Sequence, residues 1–172
     1  MYSSTRKDEM KIPRFRNVTF CLLDEEEASL RAFKQHLHWT IHYFTRRKLI
    51  QALIKTHAKK TGLRGTIFMR AHGRATAPEY QYVDHGKVKC VQDWVDTHDG
   101  KFNLLIVGSC NEQNYSIRSE KSIVIHPNCS LSIKTMMFRR GGYSRVYVPV
   151  VGYVEHNPRL IKRVTKVFLS LC

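Results

Sequence analysis

The chain has 172 residues, 42% of them hydrophobic, and carries 29 Lys and Arg against 14 Asp and Glu, a formal charge of +15. That length holds one domain with a real core. No apolar run approaches the roughly 18 residues of a membrane span, which excludes a helical membrane protein.

The opening "MYSSTRKDEMKIPRFRN" (1–17) is polar and charged, unlike a secretory signal. Residues 1–16 are expected to be a flexible lead into a single domain that accounts for the rest of the chain. "VTFCLL" (18–23) is an apolar run of strand length. Asp24 then suits a helix N-cap, and Glu25 to Glu27 suit the positive end of the helix dipole. Leu30, Phe33 and Leu37 recur at helical spacing, and "WTIHYF" (39–44) reads as a second strand. Thr45 caps the next helix, whose stripe is Leu49, Ile50, Leu53 and Ile54, with Gly62 and Gly65 at its end.

"TIFMRAHG" (66–73) is a third strand. "YQYVDHGKV" (80–88) alternates and turns at His85-Gly86, the pattern of a small hairpin. Val88, Val91, Trp94 and Val95 form a helical stripe closed by Gly100. "FNLLIVGS" (102–109) is a fourth strand and "SIVIHP" (122–127) a fifth. A short helix is expected over 130–142 and a sixth strand over "RVYVPVVGYV" (145–154). Asn157-Pro158 opens a last helix, with proline where a first turn tolerates it. Strands that alternate with helices predict an α/β fold: a doubly wound, mainly parallel six-stranded sheet with helices on both faces. A small hairpin follows the third strand.

In such a sheet the ligand crevice lies at the carboxyl ends of the strands. The third strand ends in His72-Gly73 and the fourth in Gly108-Ser109-Cys110. Parallel neighbours would open an imidazole and a thiol on the same edge. A Cys–His pair is a complete nucleophile and base. The Gly73 N–H, with no side chain in the way, and the Cys110 N–H are two candidate oxyanion donors.

This order resembles the caspase-like cysteine peptidases of clan CD, the group of caspases, metacaspases, legumain, gingipains, separase and the CHAT domains. "TIFMRAHG" is similar to their His block and "LLIVGSC" to their Cys block, the small residue before Cys110 being closest to the CHAT type. The caspase Gln-Ala-Cys-x-Gly signature is not present, since Asn111 and Glu112 follow the cysteine. The resemblance implies a caspase-like fold and hydrolysis of a peptide or protein substrate through a thioester acyl-enzyme. It makes Cys110 the nucleophile, His72 the base, and Gly73 with Cys110 the oxyanion hole. Asp24, Arg70, Arg74, Ser109 and Arg118 are its substrate-pocket candidates.

Five widely spaced cysteines without a CxxC favour reduced thiols and a cytoplasmic setting. Neither His126 with Cys129 nor His85 with Cys90 has paired zinc spacing, so neither a metal nor a cofactor is expected. Phosphate-loop glycine motifs are missing, and so are the clustered carboxylates of a magnesium nuclease. From Lys101 onward 11 basic residues face three acids, a balance of +8. Such charge either serves solubility or meets an acidic partner. The alternative function is thus a non-enzymatic or degenerate caspase-like module that binds nucleic acid or an acidic protein through its basic surface.

Overall fold

The computed structural model describes residues 18–23, 48–74, 76–127 and 145–154. In chain order these form β1 (Val18–Leu22), α1 (Lys48–Thr61), β2 (Thr66–Arg70), β3 (His72–Gly73), β4 (Gln81–Asp84) and β5 (Lys87–Cys90). There follow α2 (Val91–His98), β6 (Leu104–Gly108), β7 (Ile123–His126), β8 (Arg145–Val148) and β9 (Gly152–Val154).

The main sheet runs in the order β1-β2-β6-β7-β8-β9, and β3-β4-β5 form a separate small sheet. β1, β2, β6 and β7 are parallel, while β8 and β9 extend the sheet antiparallel. β2 and β6 are buried at every position. That is why both read as unbroken apolar runs: a parallel strand is covered on both faces. On one face Ile67, Met69, Leu105, Val107 and Val124 pack with Val91, Trp94 and Val95 of α2. The period of two sends Phe68, Leu104, Ile106, Ile123 and Ile125 to the other face, and all five are fully buried.

α1 buries Leu53, Ile54 and His57, residues one turn apart on one stripe. It stops at Gly62, whose φ of 75° is cheap only for glycine and whose N–H returns to the Ala58 carbonyl at 2.9 Å. Asn103 joins this helix to the start of β6. Its side-chain oxygen accepts from His57 Nδ1, and its Nδ2 donates to the Ile54 carbonyl at 3.1 Å.

The hairpin forms as expected. His85 and Gly86 both have positive φ, 47° and 81°, the requirement of a tight turn whose twist matches its strands. Two expected strands do not form as single pieces. The run 66–73 breaks at Ala71, and His72-Gly73 leaves the main sheet to pair with Tyr82 and Val83 of β4. The run 145–154 folds back on itself as β8 and β9, since Pro149 has no N–H for a ladder and Val150 and Gly152 take φ of 71° and 96°. The described strands therefore make a mixed six-stranded sheet with a parallel core and an antiparallel β8–β9 edge, α/β as expected but not the caspase-like arrangement. Their order never reverses, so no doubly wound switch point occurs among the described residues. The expected second strand (39–44), the helix after Asp24, the helix over 130–142 and the last helix lie outside the described residues, as does the 1–16 lead.

Replacing Asn103 with Ala strips a bond from each of two buried groups, the His57 ring and the Ile54 carbonyl. Stability should fall by about 2–3 kcal/mol, read as a lower urea midpoint at an unchanged slope. A wild-type midpoint would refute this role of Asn103.

Candidate active site

β2 and β6 are adjacent and parallel, with Arg70 opposite Gly108 at their carboxyl ends. Arg70 is only 4% exposed. Its Nη1 donates to the carbonyls of Ala71 and Gly108, both at 2.9 Å. The chain then swings out of the main sheet into His72-Gly73. From β6 it passes Ser109, fully buried, whose Oγ donates to the Ala71 carbonyl at 3.0 Å. Tyr80, also buried, donates its hydroxyl to the Ser109 carbonyl at 2.5 Å.

Cys110 is half-buried, with anchored residues on both sides. Behind it Asn111 is buried; its Nδ2 donates to the carbonyls of Tyr115 at 2.9 Å and Pro127 at 3.0 Å. Its Oδ1 accepts the Tyr115 N–H at 2.8 Å. The nucleophile candidate is thus the one half-open residue of a stretch whose neighbours have no freedom.

Gly73 meets it directly. A Cβ on Gly73 would lie 2.4 Å from the Cys110 carbonyl oxygen and 2.9 Å from its nitrogen, so only glycine fits. The next residue, Arg74, donates its N–H to the Gln81 carbonyl at 3.2 Å. Bonded and non-bonded pairs alternate along an antiparallel ladder. Gly73 opposite Tyr82 is therefore a non-bonded pair, and its N–H is directed away from β4. His72, the adjoining residue, is exposed. The structure therefore brings Gly73 against the Cys110 backbone, with His72 the residue before it in β3.

The pocket candidates fare differently. Ser109 and Arg70 are buried, and Ser109 Oγ and Arg70 Nη1 donate to backbone carbonyls. Arg74 is exposed just past Gly73. Arg118 is exposed on the β6–β7 connection, its backbone held by the Gln92 side chain at 2.9 and 2.7 Å. Asp24 lies outside the described residues. A cleft of about 720 Å³ opens elsewhere, between the hairpin and α2, lined by Cys21, Leu23, Tyr82, Trp94, Asp84 and Asp93 among others; neither His72 nor Cys110 lines it.

Sequence reasoning missed Tyr80, Asn111 and His126. The first two carry no motif, although Asn111 adjoins the cysteine. His126, read as a weak metal candidate, is fully buried. Its Nδ1 faces the Pro127 carbonyl at 2.8 Å and its Nε2 the Tyr153 hydroxyl at 2.8 Å. Nδ1–H donates to that carbonyl, and the Tyr153 hydroxyl beside Nε2 donates to the Ile117 carbonyl at 3.2 Å. Burial pushes the His126 ring down to about 4.

No family model, curated protein or solved structure matches this chain. Its site stands on its own geometry.

In the unfolded chain His126 takes up a proton near 6.5, whereas the native ring stays neutral down to about 4. Between those values the unfolded state binds more protons, so stability is complete above 6.5 and declines as the pH falls toward 4. The loss amounts to about 3 kcal/mol, and buried His57, also pushed down by burial, adds to it in the same direction. Urea unfolding of wild type and His126→Gln across this range should show a shallower pH dependence in the variant. Parallel curves would contradict the assignment.

Proposed function

We propose that this chain is a cysteine peptidase in which Cys110 attacks the peptide carbonyl and His72 manages the proton. The observation that carries this reading is the contact of Gly73 with the Cys110 backbone, which joins the His-Gly step to the cysteine at the open edge of the sheet. Close approach of the two backbones requires the glycine, and the chemical reading adds the exposed histidine before it and the half-buried cysteine beside it.

The steps follow from the groups present. His72 accepts the Cys110 proton, and the thiolate forms a bond to the carbonyl carbon. Charge develops on the carbonyl oxygen, where the Gly73 N–H, turned away from β4, and the Cys110 N–H donate to it. His72 returns the proton to the leaving amine, and a thioester remains on Cys110. Water, deprotonated by His72, then releases the acid and restores the thiol. The caspase-like resemblance supports the same roles through the order His-Gly, hairpin, helix, Cys; it enters through these blocks and not through the arrangement of the sheet. Arg74, exposed beside Gly73, is the pocket candidate best placed to meet a substrate. The thiols of Cys21 and Cys90, not joined in disulfides, are in keeping with a reducing, cytoplasmic setting.

Hydrolysis of a mixed peptide library and labelling by an acyl electrophile test the proposal. Cys110→Ala should abolish both, and His72→Ala should slow hydrolysis by roughly 10²–10⁴-fold. Equal labelling of wild type and Cys110→Ala would overturn it.

A further inference from the structure

We infer that the amino edge of the parallel sheet, opposite the thiol, is a docking surface for the phosphate backbone of a nucleic-acid duplex. Three loops meet at that edge, those entering β2, β6 and β7. The Gly65 carbonyl accepts the N–H groups of Asn103 at 3.0 Å and Leu104 at 3.3 Å. The Ile123 N–H donates to the Asn103 carbonyl at 3.1 Å, and the Gly100 N–H donates to Ser122 Oγ at 2.8 Å.

These loops carry Lys59 and Lys60 from the last turn of α1, then Arg64, Lys101 and Lys121. All but half-buried Lys60 are exposed. Lys121 lies over Gly100, with its Cδ 2.9 Å from where a Cβ would stand there, which sets it beside Lys101. Among the described residues Asp99, Glu120 and, in the last turn of α2, Asp96 share the edge. Asp99 is already committed: its carboxylate accepts the backbone N–H groups of Glu120, Lys121 and Ser122 at 2.7, 3.0 and 2.9 Å. Asp84 pairs with Lys89 and His85 in the hairpin, remote from this edge. At the carboxyl edge Arg74 is exposed, whereas two other cations are engaged by the fold. Arg70 serves two carbonyls, and Arg145 stacks 3.8 Å over Tyr153 and donates to Asn114 Oδ1 at 2.8 Å.

The pattern selects the partner. Neighbouring strands stand about 4.8 Å apart, so loops over three of them span roughly 10 Å, a length of duplex that carries about six phosphate charges. Single strands are gripped by stacking on aromatic rings, and among the described residues the exposed large hydrophobics are Val88 and Val150, both in hairpins. Protein interfaces are centred on aromatic, apolar or arginine anchors, and among the described residues the large apolar side chains at this edge, Leu63 and Phe102, are partly buried. What it offers is closely set positive charge, the requirement of sequence-independent phosphate contact.

The inference is independent of the Cys–His chemistry and is tested on the intact chain carrying Cys110→Ala. Anisotropy of a labelled random-sequence DNA duplex is followed from roughly 50 to 200 mM salt. Binding should weaken steeply with salt, alike for unrelated sequences. Adding Lys101→Gln and Lys121→Gln should lower the slope of log affinity against log salt by about 2. Both side chains are exposed, so the thermal melt should match the parent; if it does not, Arg64→Gln alone should lower the slope by about 1. A duplex slope unchanged in the variant that keeps the parent melt would overturn the inference. So would tighter binding to a single strand, or displacement of duplex by polyglutamate at equal charge, which would assign the edge to an acidic protein.

Discussion

The guanidinium of Arg70, bonded to the carbonyls of Ala71 and Gly108, is the constraint on which the open end of this sheet depends. A cation buried in a core is costly unless its donors are satisfied, and bonds from a charged donor are worth more than neutral ones. Here they tie the last residue of β6 to the first residue after β2. The Ala71 carbonyl also accepts the Ser109 hydroxyl, so a single carbonyl oxygen gathers both strand ends. From that knot one chain departs as His72-Gly73 and the other as Cys110.

The residues on both sides of Cys110 are held in place. Tyr80 fixes the Ser109 carbonyl from the start of the hairpin, and Asn111 fixes the following turn to Tyr115 and Pro127. The hydroxyl of Tyr115 in turn reaches the Ala77 carbonyl, on the segment that leads back to Tyr80. The small sheet and the β6–β7 connection thus hold each other across the site. A group held this way loses little freedom when a reactant arrives, which is how orientation lowers a barrier.

How much of this was legible in the sequence depended on how local the cause was. Burial of β2 and β6 follows from unbroken apolar runs, and the hairpin follows from His85-Gly86, a turn specified by two residues. Gly73 was legible as a point of close backbone approach, but not as the neighbour of Cys110, because that needs the β2–β6 pairing. The break at Ala71 was hidden for the same reason: Arg70 looks like a surface cation until Gly108 comes beside it. The split of 145–154 was readable in principle, since Pro149 and Gly152 are punctuation that a valine-rich run concealed. Ser109 shows the limit most plainly, for a small polar residue before a cysteine reads as room for a substrate and is instead a buried strut.

Gly73 and Cys110 stand 37 positions apart, and parallel neighbours cannot be joined by a tight turn. Helices and the hairpin can form within their own segments in microseconds, but the β2–β6 seam must wait for a long loop to close. The junction between His-Gly and thiol is therefore among the last things the chain makes. A nascent or partly opened chain carries Cys110 without its neighbours. On the proposed reading, reactivity is in this way tied to the completion of folding, because the β2–β6 seam that makes the junction is also the centre of the core.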